Sequence, residues 1–120
     1  MGDRICLQFA QERKWGDETH KEISPVLYAH WDGTDLLNKA KRFWEKYHGE
    51  IRAEPSNFMV NFITYLRQNV IEDGGHYLYA EDPGCADDNG TWEMDTDTGE
   101  IVKITKGDWD SSGYEEGDIY

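Results

Sequence analysis

Apolar and polar positions alternate in some stretches of this chain and recur at helical spacing in others. Arg4 to Ala10 (RICLQFA) is rich in apolar, strand-forming residues and predicts a first β-strand. The polar stretch from Gln11 to Ser24, with Gly16-Asp17 inside it, predicts a turn or a long hairpin loop. Pro25 to Trp31 (PVLYAHW) predicts the returning strand. Asp32-Gly33-Thr34 closes it, and either Thr34 or Asp32 is available to cap a following helix.

From about Asp35 to His48, Leu36, Leu37, Ala40, Phe43, Trp44 and Tyr47 recur at helical spacing and fall on one face. Lys39, Lys41, Arg42, Glu45 and Lys46 take the other face, and Gly49 is placed to stop the helix. Glu54-Pro55-Ser56 predicts the start of a second helix, with Ser56 as N-cap. Phe58, Met59, Phe62, Ile63, Leu66 and Val70 form its apolar stripe, and Asp73-Gly74-Gly75 ends it. Tyr65 and Arg67 fall on the outer side as a small candidate contact patch. Three short strands follow: His76 to Glu81, Thr91 to Asp95, and Glu100 to Thr105. Asp97-Thr98-Gly99 suits the tight turn between the last two. The order ββααβββ predicts an α+β domain: an antiparallel sheet of about five strands with two helices packed on one face. The expected limits are 1–106 for one domain and 107–120 for an acidic tail, mobile unless a partner orders it.

Composition narrows the class. Apolar residues make up 38% of the chain and aromatic residues 13%, too much for an intrinsically disordered protein. No apolar run approaches the roughly 20 residues that span a bilayer, and MGDRICLQFAQERK lacks the apolar centre of a secretory leader. A cytoplasmic protein without membrane contact is therefore expected. Cys6, in an apolar strand, reads as a small buried hydrophobe. Cys85 sits among Asp82, Asp87 and Asp88, which disfavour a reactive thiolate.

Charge changes the picture most. Residues 1–71 carry ten acidic and ten basic side chains, whereas residues 72–120 carry fifteen acids against Lys103 and Lys106. The second part of the chain thus accounts for the whole formal charge of −13. Such a field repels nucleic acid and attracts cationic surfaces. Direct nucleic-acid binding is excluded on that ground, since the only basic cluster, Lys39-Lys41-Arg42-Lys46, is interleaved with Glu45. Glu93, Asp95 and Asp97 alternate, so in a continuous strand they would share one face about 6.6–7 Å apart. That charge spacing is of the same order as a DNA strand's phosphates. Together with Asp108, Trp109, Asp110, Glu115 and Glu116 they form the candidate partner-binding set. A solvated strand face and a solubilising tail is the competing reading of the same residues.

Other constellations are weaker. His30-Trp31-Asp32-Gly33 lies at a strand-to-helix junction, where His30 with Asp32 could form a general base or a metal site. The structural alternative has His30 bonding the helix cap, Trp31 packing, and Gly33 supplying an unusual backbone angle. His20, His48 and His76 are scattered over loops and element ends, without zinc-ligand spacing. Two Asp-rich loops, one with Asp82, Asp87, Asp88 and Asn89 and one with Asp95, Asp97, Gly99 and Glu100, could offer oxygens to calcium. Neither has the closing glutamate of an EF-hand, so solvated turns are expected, with no cofactor.

The opening Met1-Gly2-Asp3-Arg4 and the segment Val26-Leu27-Tyr28-Ala29-His30-Trp31-Asp32-Gly33 resemble a family of small uncharacterised proteins of bacteria, archaea and their viruses. Members begin with the same four residues and carry a strand ending in Tyr-x-His-Trp-x-Gly. The likeness covers roughly residues 1–105; a second glycine is the family's expectation where Asp32 stands here. It implies a shared fold and carries no activity over.

The expected function is a non-catalytic acidic protein engaging a basic, nucleic-acid-binding surface of another protein. A phage or mobile-element DNA-mimic inhibitor of a defence nuclease, anti-CRISPR-like and acting in the host cytoplasm, fits its size and charge. The alternatives are a small metal-dependent enzyme or metal-binding protein using His30 and Asp32, and an antitoxin-like partner of a basic toxin.

Overall fold

Ile5, Leu7 and Phe9 point to one side of the first strand and are fully buried there, and the fold is organised around covering them. A computed structural model describes residues 2–68, 70–84 and 88–105. The elements in chain order are β1 (Ile5–Trp15), β2 (Glu18–Ile23), β3 (Val26–Ala29), α1 (Asp35–Tyr47), α2 (Pro55–Arg67), β4 (His76–Tyr79), β5 (Thr91–Asp95) and β6 (Ile101–Thr105). The class is α+β, with both helices on one face of the sheet. Five strands run in the order β4-β3-β1-β5-β6, and β2 pairs with the outer half of β1. The expected tail, 107–120, lies outside the described residues.

Two features of the sheet differ from expectation. The polar stretch read as a loop is a β-hairpin: β1 continues to Trp15, turns at Gly16 with φ +65°, and β2 returns in register from Trp15 opposite Glu18 to Ala10 opposite Ile23. Every position of β2 is exposed, so no apolar alternation marks it in the sequence. The sheet therefore has six strands in the order βββααβββ. It is also mixed, because β5 runs parallel to β1, from Cys6 opposite Thr91 to Ala10 opposite Asp95. β2 and β3 together occupy one edge of β1, so β5 joins at the other. The two helices and β4 form the long crossover that parallel pairing needs.

The helices show why their stripes were readable. Leu36, Leu37, Ala40 and Phe43 of α1, and Phe58, Met59 and Phe62 of α2, are buried against Leu27, Ala29, Trp92, Met94 and Ile101 of the sheet. Phe9, Phe43, Phe58 and Phe62 make the centre, with ring centroids 5.0–5.6 Å apart for the pairs in contact. The ends of α1 fall where expected, and those of α2 moved. α1 closes at His48, whose N–H bonds the Trp44 carbonyl, so Gly49 is not needed as a left-handed cap. α2 begins at Pro55 with Glu54 as N-cap, not at Ser56, because proline's missing N–H is harmless in the first turn. It ends at Gln68, φ +50°, ahead of the glycines. Val70 thus falls past the helix and is exposed. Tyr65 is not an outer contact residue: its ring packs 5.3 Å from Phe43.

Cys6, Val26 and Tyr28 form a second small buried cluster. By strand alternation they lie on the face away from the helices. Asp82, in the connection from β4 to β5, lies over that face and accepts a hydrogen bond from Thr91 Oγ1 at 2.8 Å.

Candidate interaction surface

The predicted acidic row begins on β5, on the face away from the helices. Glu93 accepts a hydrogen bond from Gln8 Nε2 at 2.8 Å and pairs with Lys21 Nζ at 2.8 Å. Its charge is therefore met inside the molecule, by a lysine the hairpin brings over. Asp95 ends the strand. Its Oδ1 accepts from the backbone N–H of Asp97 at 2.8 Å and of Thr98 at 3.3 Å, forming the turn before Gly99. Asp97 lies in that turn, exposed, and accepts from Gln11 Nε2 at 3.1 Å. The three do not make a continuous row, because the third sits beyond the pleat. Asp108, Trp109, Asp110, Glu115 and Glu116 lie outside the described residues.

A different acidic arrangement emerges around β4. Glu72 and Asp73 precede this strand, Glu81 and Asp82 follow it, and all four are exposed. Among the described residues none of them has a Lys, Arg or His ion-pair partner; Asp73 and Asp82 accept only from neutral donors, the N–H of Gly75 and Gly84 and the Thr91 hydroxyl. Between the two acidic pairs, β4 exposes Tyr77 by 48%, Leu78 by 53% and Tyr79 by 39%. Among the described residues, β4 is the last strand on its side of the sheet. On its helix side, a groove of about 320 Å³ runs between β4 and α2, lined by Leu27, Ile63, Arg67, His76 and Leu78. One signal for this is visible in the chain itself, a short apolar strand bracketed by acids.

The strand-to-helix junction is built differently from the expected His30–Asp32 pair. Asp32 Oδ2 lies 2.8 Å from His76 Nε2, and His30 Nδ1 lies 2.7 Å from the Tyr28 hydroxyl. Arg67 Nη1 is 3.1 Å from His76 Nδ1. An arginine can only donate, so Nδ1 accepts and the imidazole offers its Nε2–H to Asp32. Arg67 also donates to the carbonyls of Glu72 and Val70. The Asp32–His76–Arg67 chain thus ties the end of β3, the end of α2 and the start of β4 together, and it positions β4. His30 does not bond the helix cap. Its backbone carbonyl accepts from Asp3 N–H, and Trp31 stands edge-on to its ring, 58% exposed and not packed in the core. Gly33 does adopt the left-handed backbone, φ +56°, with its Cα facing the Asp3 carboxylate.

The Asp-rich loop is held by the N-terminal segment. Arg4 donates to both carboxylate oxygens of Asp88, 3.1 Å from each, and its backbone N–H adds a bond of 2.9 Å. Asn89 Nδ2 donates to Asp3 Oδ1 at 2.7 Å and to the Arg4 carbonyl at 2.9 Å. These Arg4 hydrogen bonds hold the Asp88 carboxyl below the ordinary aspartate range, against burial, which acts to raise it. A carboxyl lowered on folding stabilises the native state above its unfolded pKa, and that contribution drains away as pH falls through the folded value. We expect Asp88→Asn to lower stability at neutral pH. The gap between wild type and variant should close below about pH 4, measured by thermal melts across a pH series. A gap that persists unchanged into acid would refute the assignment. Among the described residues, no group of three or more His, Cys, Asp or Glu side chains is arranged to hold a metal ion, and no helix is long and apolar enough to cross a membrane.

No protein-family model matches the chain, and no solved structure matches it. The chain is similar to the ATP synthase subunit delta of Lactobacillus gasseri, with 23% identity over 116 residues, covering 86% of this chain and 64% of that protein. The chain therefore spans less than two thirds of the curated protein it matches, and identity at this level assigns no family.

Proposed function

We propose that this chain is a non-catalytic, acidic binding protein that engages a basic, nucleic-acid-binding surface on another protein. The observation that carries the reading is charge placement. All of the net charge of −13 belongs to residues 72–120. In the described part of that region Glu72, Asp73, Glu81, Asp82, Asp97 and Glu100 face solvent. Carboxylates left without cations on the surface project a field that screening limits to about 8–10 Å at ordinary salt. Arginines and lysines arranged for phosphates supply the complementary potential, so the acids act as phosphate substitutes and steer association. A DNA-mimic inhibitor of a defence nuclease, anti-CRISPR-like and encoded by a phage or mobile element, is the specific form we favour. The likeness of its opening motifs to proteins found in viruses supports that form.

Calorimetric titration against a set of nucleic-acid-binding nucleases, with duplex DNA as competitor, tests this. Binding should weaken by about tenfold or more as salt rises from about 50 to about 200 mM, and duplex DNA should compete. Affinity indifferent to salt, or a complex that binds DNA and this chain together without competition, overturns the reading.

A further inference from the structure

The edge of β4 that has no partner among the described residues is where the surface chemistry converges. β4 pairs with β3 through Val26–Tyr79, Leu27–Leu78, Tyr28–Tyr77 and Ala29–His76. The next rung, where His30 N–H donates to the Gly75 carbonyl at 2.9 Å, is a hydrogen-bonded one. Antiparallel ladders alternate hydrogen-bonded and open rungs, so the main-chain N–H and C=O of His76 and Leu78 point away from β3 to the open edge. Among the described residues these groups have no strand partner.

The other two edges are protected in ways β4 is not. β2 is studded with Glu18, His20, Lys21 and Glu22, and β6 has a register shift against β5 at Thr91/Trp92 and carries Lys103 in its middle. Charged side chains and bulges are the usual devices against strand addition. β4 has neither, and its residues Tyr77, Leu78 and Tyr79 are apolar or aromatic and half-exposed. The edge is ready for pairing, and the acids at both ends select what pairs with it.

We infer that β4 receives an extended, basic segment of the partner as a seventh strand, an inference that rests on the acidic-binding reading above. Its apolar centre lies opposite β4, and its lysines or arginines meet Glu72 and Asp73 at one end and Glu81 at the other, Asp82 being turned back over the sheet to Thr91. Four strand residues span about 13 Å, so the cations sit two or three residues outside the apolar centre. The side chain opposite Leu78 enters the 320 Å³ groove beside Leu27 and Ile63, and its neighbours lie on Tyr77 and Tyr79. Main-chain bonds supply the register, the groove supplies one apolar pocket, and the acids supply the choice of a basic strand. A second copy of this chain is a poor occupant, because pairing two β4 edges would bring six carboxylates into one ribbon between molecules of charge −13 each.

The test uses the full chain and a synthetic nonapeptide, Lys-Lys-Thr-Val-Thr-Val-Thr-Lys-Lys. Two singly N-methylated versions are made, one on an amide that would face the edge and one on an adjacent amide that would face away. Edge addition predicts that the first loses about tenfold in affinity and the second binds as the parent. It also predicts that the His76 and Leu78 amides become protected from hydrogen exchange. Equal binding of both methylated peptides, or no new protection, overturns edge addition. If that binding still weakens steeply with salt, the acidic-binding reading stands without it. If a Lys→Gln version of the peptide binds as well as the parent, the acids do not select the occupant and the inference is overturned in its charge requirement. Failure of every peptide alongside salt-dependent capture of an intact basic nuclease likewise overturns strand addition and keeps the broader reading.

Discussion

Phe58→Ala is expected to cost about 3–5 kcal/mol of folding stability, the range for removing a fully buried aromatic ring. Phe58 is fully buried, and its ring stands edge-on to Phe9 of β1 at 5.0 Å and to Phe43 of α1 at 5.1 Å. It is the ring through which α2 grips both the sheet and the other helix. Removing it deletes the transfer term of a phenylalanine and leaves a cavity whose walls sit on three separate elements. Those walls cannot close without moving the sheet against α1, so relaxation recovers little. Domains of this size have about 5–15 kcal/mol in total, so the variant should melt at least ten degrees lower or fail to fold at ordinary temperature. Val60→Ala, on the same helix but 64% exposed, should stay within about 0.5 kcal/mol of wild type. Urea unfolding of both variants, with similar m-values, makes the comparison. A Phe58→Ala loss under 1 kcal/mol would mean that the three elements are not packed through this ring.

Gly99→Ala is expected to cost about 2–4 kcal/mol, and Gly16→Ala much less. Both glycines have left-handed backbones, φ +75° and φ +65°, and each substitution carries the strain of about 1–2 kcal/mol that an L-residue meets there. Only Gly99 adds a collision. A Cβ there would come within 2.7 Å of the Trp44 ring, whereas nothing lies within 4 Å of a Cβ at Gly16. Trp44 cannot swing away cheaply. Its Nε1 donates to the Thr96 carbonyl at 2.8 Å, and its ring stacks on His48 at 3.9 Å. Lys41 Nζ donates to the Gly99 carbonyl from the same helix, so the β5–β6 turn and α1 are locked together on both sides of the indole. The difference between the two variants in chemical denaturation isolates the Trp44 contact. Equal losses would show that strain alone acts at both turns.

Much of this arrangement could be read from the chain, and what could not be read has physical causes. The stripes of α1 and α2 were legible because each buries a wide apolar face, and Trp92 with Met94 marked β5 because one side of that strand is dry. The Asp97-Thr98-Gly99 turn was legible from its glycine, which does have positive φ. The β1–β2 hairpin was not, since from Gln11 to Ile23 it has no consistently buried side to print a period of two. Parallel pairing of β5 with β1 left no local trace, because strand direction is set by the long crossover between them and not by the side chains of either strand. The Asp32–His76 contact joins residues 44 positions apart in different elements, so nearness in sequence favoured the wrong histidine. Glu93 shows the converse: its alternation with Asp95 is visible in the chain, but the lysine that neutralises it arrives on β2, whose fully exposed residues print no strand pattern.

The position of β1 at the middle of the sheet sets the order of events during synthesis. Its partner β5 leaves the ribosome about 85 residues after it, so the central strand waits with one side unsatisfied while the hairpin, both helices and β4 have already emerged. Closing so distant a pair makes assembly slow for a chain of this length. Until it closes, the nascent polypeptide offers its most apolar strand to chaperones and to neighbours alike.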